Sequence, residues 1–326
     1  MIWFWLGFFA LVALLLFLDL GVVHRRATVM SLRTAAAWTA GWIGLGLAFS
    51  GVVYLMYENN WGGVHLKGCP PGHADGVDAT ITYVSAYLLE QALSIDNIFV
   101  MSLVFRSFSM PLKYQHRVLF WGILGAVVFR VAMLGGGAYL AARFDFIFYI
   151  FGGYLAWQGL KLFKGDSDEG DDGMDNRAVK VLRRVVRISD GDHGGAFTVR
   201  IDGKRWFTTI AVCLVVIELT DVVFALDSIP AVLSVSQDTF IMITSNVFAI
   251  MGLRSLYFVL AGAMEKFKYL KIALAVLLIF IGAKMIAHKW ILLPHWVSLC
   301  VIAGIIGLGI AASLLISERA PTSPSP

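Results

Sequence analysis

The sequence predicts an all-α polytopic membrane protein of about nine transmembrane helices, with a core of two inverted three-helix repeats. Three observations carry that prediction. Hydrophobic residues make up 59% of the 326-residue chain and charged residues only 15%, with a mean hydropathy of +0.77; soluble domains run near 25% charged. Apolar runs long enough to cross about 30 Å of hydrocarbon recur from end to end. The acidic stretch Glu90 to Ile98 returns as Asp221 to Ile229, each reading carboxylate, five residues, aspartate, a small polar residue, isoleucine.

The expected spans are 3–23, 36–57, 80–104, 118–141, 146–163, 207–229, 240–262, 269–288 and 296–316. The first lacks a basic n-region and a clean cleavage site, so it reads as a retained helix rather than a signal peptide. The chain divides into a two-helix extension (1–57), an external loop (58–79), a first repeat (80–163), a long cytoplasmic loop (164–206), a second repeat (207–288), and a last helix with a disordered tail (289–326). Lys and Arg set the orientation. Arg25, Arg26 and Arg33 follow span one; Arg106, Lys113 and Arg117 follow span three; the loop from Lys164 to Arg205 is the most basic; Lys266 and Lys268 follow span seven, and Arg319 sits in the tail. Only Lys67, Arg143 and Lys289 lie on the other side. The N-terminus is therefore expected outside and the C-terminus in the cytoplasm.

The loops add little chemistry. The net charge of +4 comes from these membrane-flanking residues, so no nucleic-acid partner is expected. Cys69, Cys213 and Cys300 suggest no disulfide framework and no metal knuckle. His65 and His73 stand near Asp75 and Asp78, where a solvated loop is the simpler reading than a metal trap. The acidic run 165–173 lacks the twelfth-position glutamate of an EF-hand. Residues 176–188 have the pattern of a basic helix lying on the inner leaflet, and Phe197 to Phe207 alternates around Asp202-Gly203 as a hairpin. Tryptophans cluster near span ends as an interfacial belt, and Gly135 to Gly137 with Gly152-Gly153 permit close helix packing.

The repeat extends beyond the acidic stretches. With Glu90 set on Asp221, Asp96 falls on Asp227, Asn97 on Ser228 and Ile98 on Ile229. One span later Phe129-Arg130 answers Leu253-Arg254; after that Phe144 pairs with Phe267, and Gly159-Leu160-Lys161 with Gly282-Ala283-Lys284. Three spans per copy is an odd number, so the second copy enters the membrane from the opposite side.

Charges at bilayer depth cost about 2.5–3.5 kcal/mol each on insertion scales, so paired carboxylates in two spans ask for a function. The candidate ligands are Glu90, Asp96 and Asn97 on span three, Glu218, Asp221, Asp227 and Ser228 on span six, and Asn246 on span seven, with Ser94 and Thr220 beside them. All are oxygen donors, which suit Mn²⁺, Mg²⁺ and Ca²⁺ better than Zn²⁺ or copper. We expect no permanent cofactor; the divalent ion, Mn²⁺ before Mg²⁺ or Ca²⁺, is cargo. Arg130 and Arg254 read as counter-ions. Lys284 is balanced between a gate and a snorkelling group; Lys161 reads as snorkelling and Asp19 as an interfacial partner of His24 and Arg25. Purely structural interhelical salt bridges are the competing reading, but five carboxylates outnumber two deep arginines.

Spacing adds shape. Glu90 and Asn97 share a helix face, as do Asp221 and Ser228, and Glu218 and Asp221. Glu90 and Asp96 are about 120° apart around a helix. Either Asp96 and Asp227 form separate layers, or the helices unwind there, and Pro230 favours a break at the end of span six. Inversion puts Asp96 toward the cytoplasm and Asp227 toward the outside, as entry and exit layers around a central Glu90, Asp221 and Glu218 site. Surplus carboxylates make proton-coupled antiport the natural expectation, since metal binding and protonation compete.

Several blocks resemble a known family: EQALSIDNIF, YQHRVLFWGILGAVVFR, IELTDVVFALDSIPAV, SNVFAIMGLRSLYFVLAG and YLKIALAVLLIFIGAKM. They are similar to the TerC family of integral membrane proteins; the N-terminal LDLGVVHRRA and the long middle loop point to its Alx branch. The resemblance spans residues 14–315 and implies a three-plus-three helix exporter core. It also implies a link to Mn²⁺ export, to alkaline-pH response and, historically, to tellurium resistance. The family's acidic positions fall on Glu90, Asp96, Glu218, Asp221 and Asp227. The expectation is thus a bacterial inner-membrane exporter of divalent cations. A membrane scaffold that supplies metal to, or assists, exported proteins is the alternative, with secretion components as partners. An intramembrane enzyme is disfavoured, because neither GxGD nor HExxH occurs.

Overall fold

A computed structural model of the chain describes residues 2–21, 32–61, 75–144, 146–163, 188–189, 194–201, 203–261, 269–287 and 295–317. Helices α1 (Ile2–Gly21), α2 (Leu32–Glu58), α3 (Asp75–Ser107), α4 (Leu112–Arg143) and α5 (Phe146–Phe163) come first. Strands β1 (Ile188–Ser189), β2 (Thr198–Ile201) and β3 (Lys204–Thr208) follow. Helices α6 (Thr209–Val235), α7 (Thr239–Met251), α8 (Leu253–Ala261), α9 (Leu270–Ala287) and α10 (His295–Ser317) complete the chain.

Backbone groups in hydrocarbon must bond within their own segment, which is why these apolar runs are helices. Leu32–Glu58, Leu112–Tyr139 and Thr209–Val235 are each long and apolar enough to cross a membrane, and α7 with α8 makes a fourth such unit as a bent pair. Shorter apolar helices cover Trp3–Leu18, Ile272–Ala287 and Val297–Ser313. Large side chains such as Phe17, Trp157, Leu219 and Leu308 stay exposed on the outer faces, a surface suited to lipid rather than water. Helix α3, at 33 residues, is about 50 Å long, and its apolar character is interrupted by Glu90, Asp96 and Asn97.

Two expectations about the spans need correction. The helices do not unwind around Asp96 and Asp227: α3 runs unbroken to Ser107, and α6 continues through Pro230 to Val235. Pro230 removes one backbone donor, but Ala231, Val232 and Leu233 are all buried against neighbours, and that packing carries the helix across the missing bond. The break falls instead in the expected span 240–262, where α7 and α8 meet at Gly252 with a 44° bend. A Cβ on Gly252 would stand 3.3 Å from Cβ of Trp42 on α2, so the glycine lets the two helices approach closely at the bend.

Helix α3 is the central element and packs against α2, α6, α7, α8 and α10; α4 packs on α6 and α7, and α5 lies along α9. The buried apolar side chains form two clusters. One includes Phe8, Phe49, Tyr83, Ala92, Ala225 and Phe248; the other includes Ile98, Phe105, Val118, Cys213, Ile217 and Tyr257. On α3 the boundary falls between Ala92 and Ile98, and on α6 between Ile217 and Ala225. Asn97 and Asp221 of the polar cluster described below sit at that boundary.

The strands form a small sheet of order β1-β3-β2. β2 and β3 pair antiparallel, with Ile201 opposite Lys204 and Thr198 opposite Phe207, and Gly203 in the turn has φ +75, which glycine adopts without strain. Thr208 joins the sheet to α6: its hydroxyl donates to the Ala196 carbonyl (2.6 Å) and accepts from the Ala211 N–H (3.4 Å), capping the helix. The expected basic helix 176–188 (apart from Ile188, in β1), the acidic run 165–173, His65, His73, Cys69 and the tail 320–326 lie outside the described residues.

Candidate functional site

Arg130 projects from the middle of α4 to the contact between α3 and α6. Its Nε donates to Oδ2 of Asp221 (3.1 Å) and its Nη2 to Oδ1 of Asp221 (2.8 Å), a two-pronged grip on α6. Its Nη1 donates to Oε1 of Glu90 on α3. Asn97, two turns along α3 from Glu90, donates its Nδ2 to Oδ1 of Asp221 (2.7 Å). Arg130, Glu90, Asp221 and Asn97 are all at most 3% exposed.

One positive and two negative groups thus meet away from solvent. Removing both charges from water is expensive, and the forked geometry with shared hydrogen bonds is what offsets it. The shared face expected for Glu90 and Asn97 is realised: both reach the α6 side of α3, one through Arg130 and one directly.

Among the described residues several buried atoms on α3, α6 and α7 have no hydrogen-bond partner: Oε2 of Glu90 and Oδ1 of Asn97 in the cluster itself, and Oγ of Ser94, Oγ of Ser228, Oε2 of Glu218 and both amide atoms of Asn246. Buried polar groups are normally satisfied, and each orphan costs about 1–3 kcal/mol. All but the Asn246 nitrogen are oxygens, the donor type a hard cation requires. Among the described residues no group of three or more His, Cys, Asp or Glu is gathered as a ready metal cage. The two central carboxylates are held by one arginine.

Glu218 lies on α6 one turn before Asp221, and a Cβ on Gly125 of α4 would overlap its carboxylate. Gly125 is a close-approach position beside Glu218 that the sequence reading missed. Its signal was available: Gly122 and Gly125 are three apart on α4, and both face α6. Gln115 and Tyr257 were also missed. The Tyr257 hydroxyl donates to Oε1 of Gln115 (3.0 Å), and the Gln115 Nε2 donates to the Met110 carbonyl (3.0 Å), tying the α3–α4 turn to α8. No motif marks that contact.

The other candidates are placed less centrally. Ser228 and Asn246 are buried on α6 and α7, and Arg254 is buried in the first turn of α8. Lys284 is half-buried on α9, the helix that lies along α5. The Lys161 ammonium stands 5.7 Å above the Trp157 ring. Asp96 and Asp227 lie within the unbroken α3 and α6, and their side chains, like that of Asp19, are outside the described residues.

Comparison with known proteins agrees with this architecture. The model of the family described as "Integral membrane protein TerC family" matches residues 75–321. An uncharacterized membrane protein of Myxococcus xanthus is 42% identical over 98% of this chain and 94% of its own length. A "putative membrane-bound redox modulator Alx" of Escherichia coli K12 is 41% identical, over 97% of this chain and 95% of its own. An uncharacterized membrane protein of Rickettsia felis is 39% identical over 95% and 97%. No solved structure matches.

Proposed function

The chain belongs to the TerC family of integral membrane proteins, and on that premise we propose that it exports a hard divalent cation, Mn²⁺ before Ca²⁺ or Mg²⁺, across a bacterial inner membrane. The observation that carries this reading is the buried Glu90–Arg130–Asp221 cluster, with unpartnered oxygens on Glu90 and Asn97, where the two acid-bearing helices touch. The ion is cargo, and alternating access moves it past that layer.

Contacts among the helices support two inverted three-helix units, α3–α5 and α6–α9. α3 meets α6, α5 meets α9, and the contact of α4 with α6 is answered by that of α7 with α3. The finest support is at α5 and α9. The pairing of Gly159 with Gly282 also sets Gly152 against Ala275. A Cβ on Gly159 would be 2.7 Å from the Ala275 carbonyl, and one on Gly282 would be 2.6 Å from the Gly152 carbonyl. Exchanging the two units turns the first contact into the second, which is the signature of a two-fold relation.

In this reading Arg130 is the counter-ion that keeps the central carboxylates soluble in hydrocarbon while no metal is bound. Five carboxylates at bilayer depth (Glu90, Asp96, Glu218, Asp221 and Asp227) face two arginines (Arg130 and Arg254). Three negative charges are left over, enough for a divalent ion and a proton. Metal binding would expel that proton, and protonation would release the metal, so we assign proton coupling. The Escherichia coli relative is called a redox modulator; in this chain the buried carboxylate layer is the better-supported centre.

The test is Mn²⁺ flux in reconstituted vesicles under an imposed pH gradient, wild type beside Asp96→Asn and Asp227→Asn. Flux lost in both, with insertion intact, supports the exporter. Undiminished flux in both sinks it. An Asp96→Asn protein that keeps its cellular role and co-purifies with translocation components would favour the accessory-factor alternative. Flux indifferent to the gradient removes the proton.

A further inference from the structure

The hairpin in front of α6 carries a charge arrangement that transport does not use. β2 and β3 pair with Arg200 directly opposite Arg205 and Thr198 opposite Phe207. Side chains alternate between faces along a strand, so these four residues share one face, and all four are exposed. Directly opposite partners have Cβ atoms roughly 4.5–5.5 Å apart, and like charges in that relation destabilise a hairpin. Among the described residues neither arginine side chain has a hydrogen bond or ion pair. Two arginines in directly opposite register with no carboxylate among the described residues are a binding geometry for a phosphate or other anion.

The neighbourhood narrows the choice of anion. β3 passes through Thr208 directly into α6, whose exposed side chains Val215, Leu219 and Val223 recur every turn as a lipid-facing stripe. Phe207, on the arginine face, is 42% exposed, and Trp121 on α4 is 44% exposed with its ring edge-on to Phe197 of the sheet. Exposed aromatics at the end of spanning helices mark the headgroup level. Arg205 is four residues before the helix, at most about 13 Å of extended chain, and so within reach of the headgroups. Lys113 and Arg117, at the adjoining start of α4, add positive charge, and the Arg117 guanidinium lies over the Phe197 ring.

We propose that this hairpin face binds the phosphate of an anionic phospholipid, with the Arg200–Arg205 pair on the phosphate and Phe207 in the interface. The lipid relieves the like-charge contact and pins the sheet to the membrane beside the start of α6. An acidic peptide could neutralise the arginines but has no use for the exposed Phe207.

The test is lipid titration of the purified full chain in detergent micelles, read by native mass spectrometry, with phosphatidylglycerol against phosphatidylcholine. Wild type should prefer phosphatidylglycerol. Arg200→Gln/Arg205→Gln should weaken that binding by about thirtyfold, because each surface arginine contributes roughly 1 kcal/mol toward an anionic membrane. Arg33→Gln/Lys161→Gln, with the same loss of charge elsewhere, should leave it unchanged. Phe207→Ser should weaken it with the arginines intact. Equal affinity in wild type and the hairpin variant overturns the proposal. So does equal loss in the control, which would mean diffuse attraction. Displacement by inorganic phosphate as effective as by lipid would assign the pair to a free anion. Phosphatidylglycerol binding seen only after the aspartates of 166–175 are changed to Asn would assign it to that acidic run.

Discussion

Two arginine-bearing segments of this molecule can be aligned in sequence and fold differently. On α4 the run is Val127-Val128-Phe129-Arg130; on the second it is Met251-Gly252-Leu253-Arg254. α4 continues unbroken from Leu112 to Arg143, whereas the other bends by 44° at Gly252 into α7 and α8. Glycine and valine differ by less than about 0.5 kcal/mol in helix propensity, too little to break a buried helix alone. The approach of Trp42, which a Cβ at Gly252 would crowd, completes the difference. Arg130 therefore leaves the middle of a helix and grips Glu90 and Asp221, while Arg254 sits in the first turn of α8, where a helix dipole disfavours a cation by about 0.3–1 kcal/mol. Positions that a sequence alignment pairs are not equivalent environments.

The largest expected effect tests that contrast directly. Arg130→Gln leaves two buried carboxylates without their counter-ion and should destabilise the protein by about 3–5 kcal/mol, read as thermal unfolding in detergent. Arg254→Gln measured beside it should cost less; an equal loss would mean the two arginines do the same work from opposite sides.

Glu218 sharpens the comparison on the acid-bearing helices. Its counterpart on α3, by the same alignment, is Tyr87, whose hydroxyl accepts from Gln91 (2.8 Å). Glu218→Gln should lower Mn²⁺ flux by at least about tenfold if the layer is the ion path, with an unchanged or raised melting temperature, because a neutral amide is less costly to bury. Tyr87→Phe should leave flux nearly intact. Loss of flux in both variants would make the two helices alike after all.

The α5–α9 crossing gives a smaller effect. Gly159→Ala and Gly282→Ala each push a methyl against backbone, at 2.7 and 2.6 Å, and should each cost about 1–3 kcal/mol. Near-equal costs support the two-fold relation; a large disparity would break it. Smallest of all, Gly252→Ala should change stability by no more than about 1 kcal/mol, since Gly252 has an ordinary φ of −75. Its readout is flux, which should change if the bend sets the position of Arg254.

How legible the site was depended on the kind of signal. Glu90, Asn97 and Asp221 were readable as one set because helical spacing alone puts Glu90 and Asn97 on a common face, and the repeat supplies Asp221. Arg130 was readable as a counter-ion because a guanidinium in an apolar run needs a carboxylate nearby. That it would hold both Glu90 and Asp221 at once was not readable: three helices must converge for one side chain to reach two others. Gly125 escaped for a related reason. Its missing side chain matters only because Glu218 of another helix occupies the space.

The sequence by itself determined that this chain is helical and apolar enough for a membrane, which residues carry charge into it, and at what spacing along each helix. Those properties follow from composition and from the 3.6-residue period, which are local. Tertiary packing decided the rest. Burial of Ala231 to Leu233 kept α6 intact through Pro230, and Trp42 set the bend at Gly252. Convergence of α3, α4 and α6 gathered Glu90, Arg130 and Asp221 into one buried cluster. Each outcome depends on which side chains meet across helices far apart in the chain, and no local pattern encodes that.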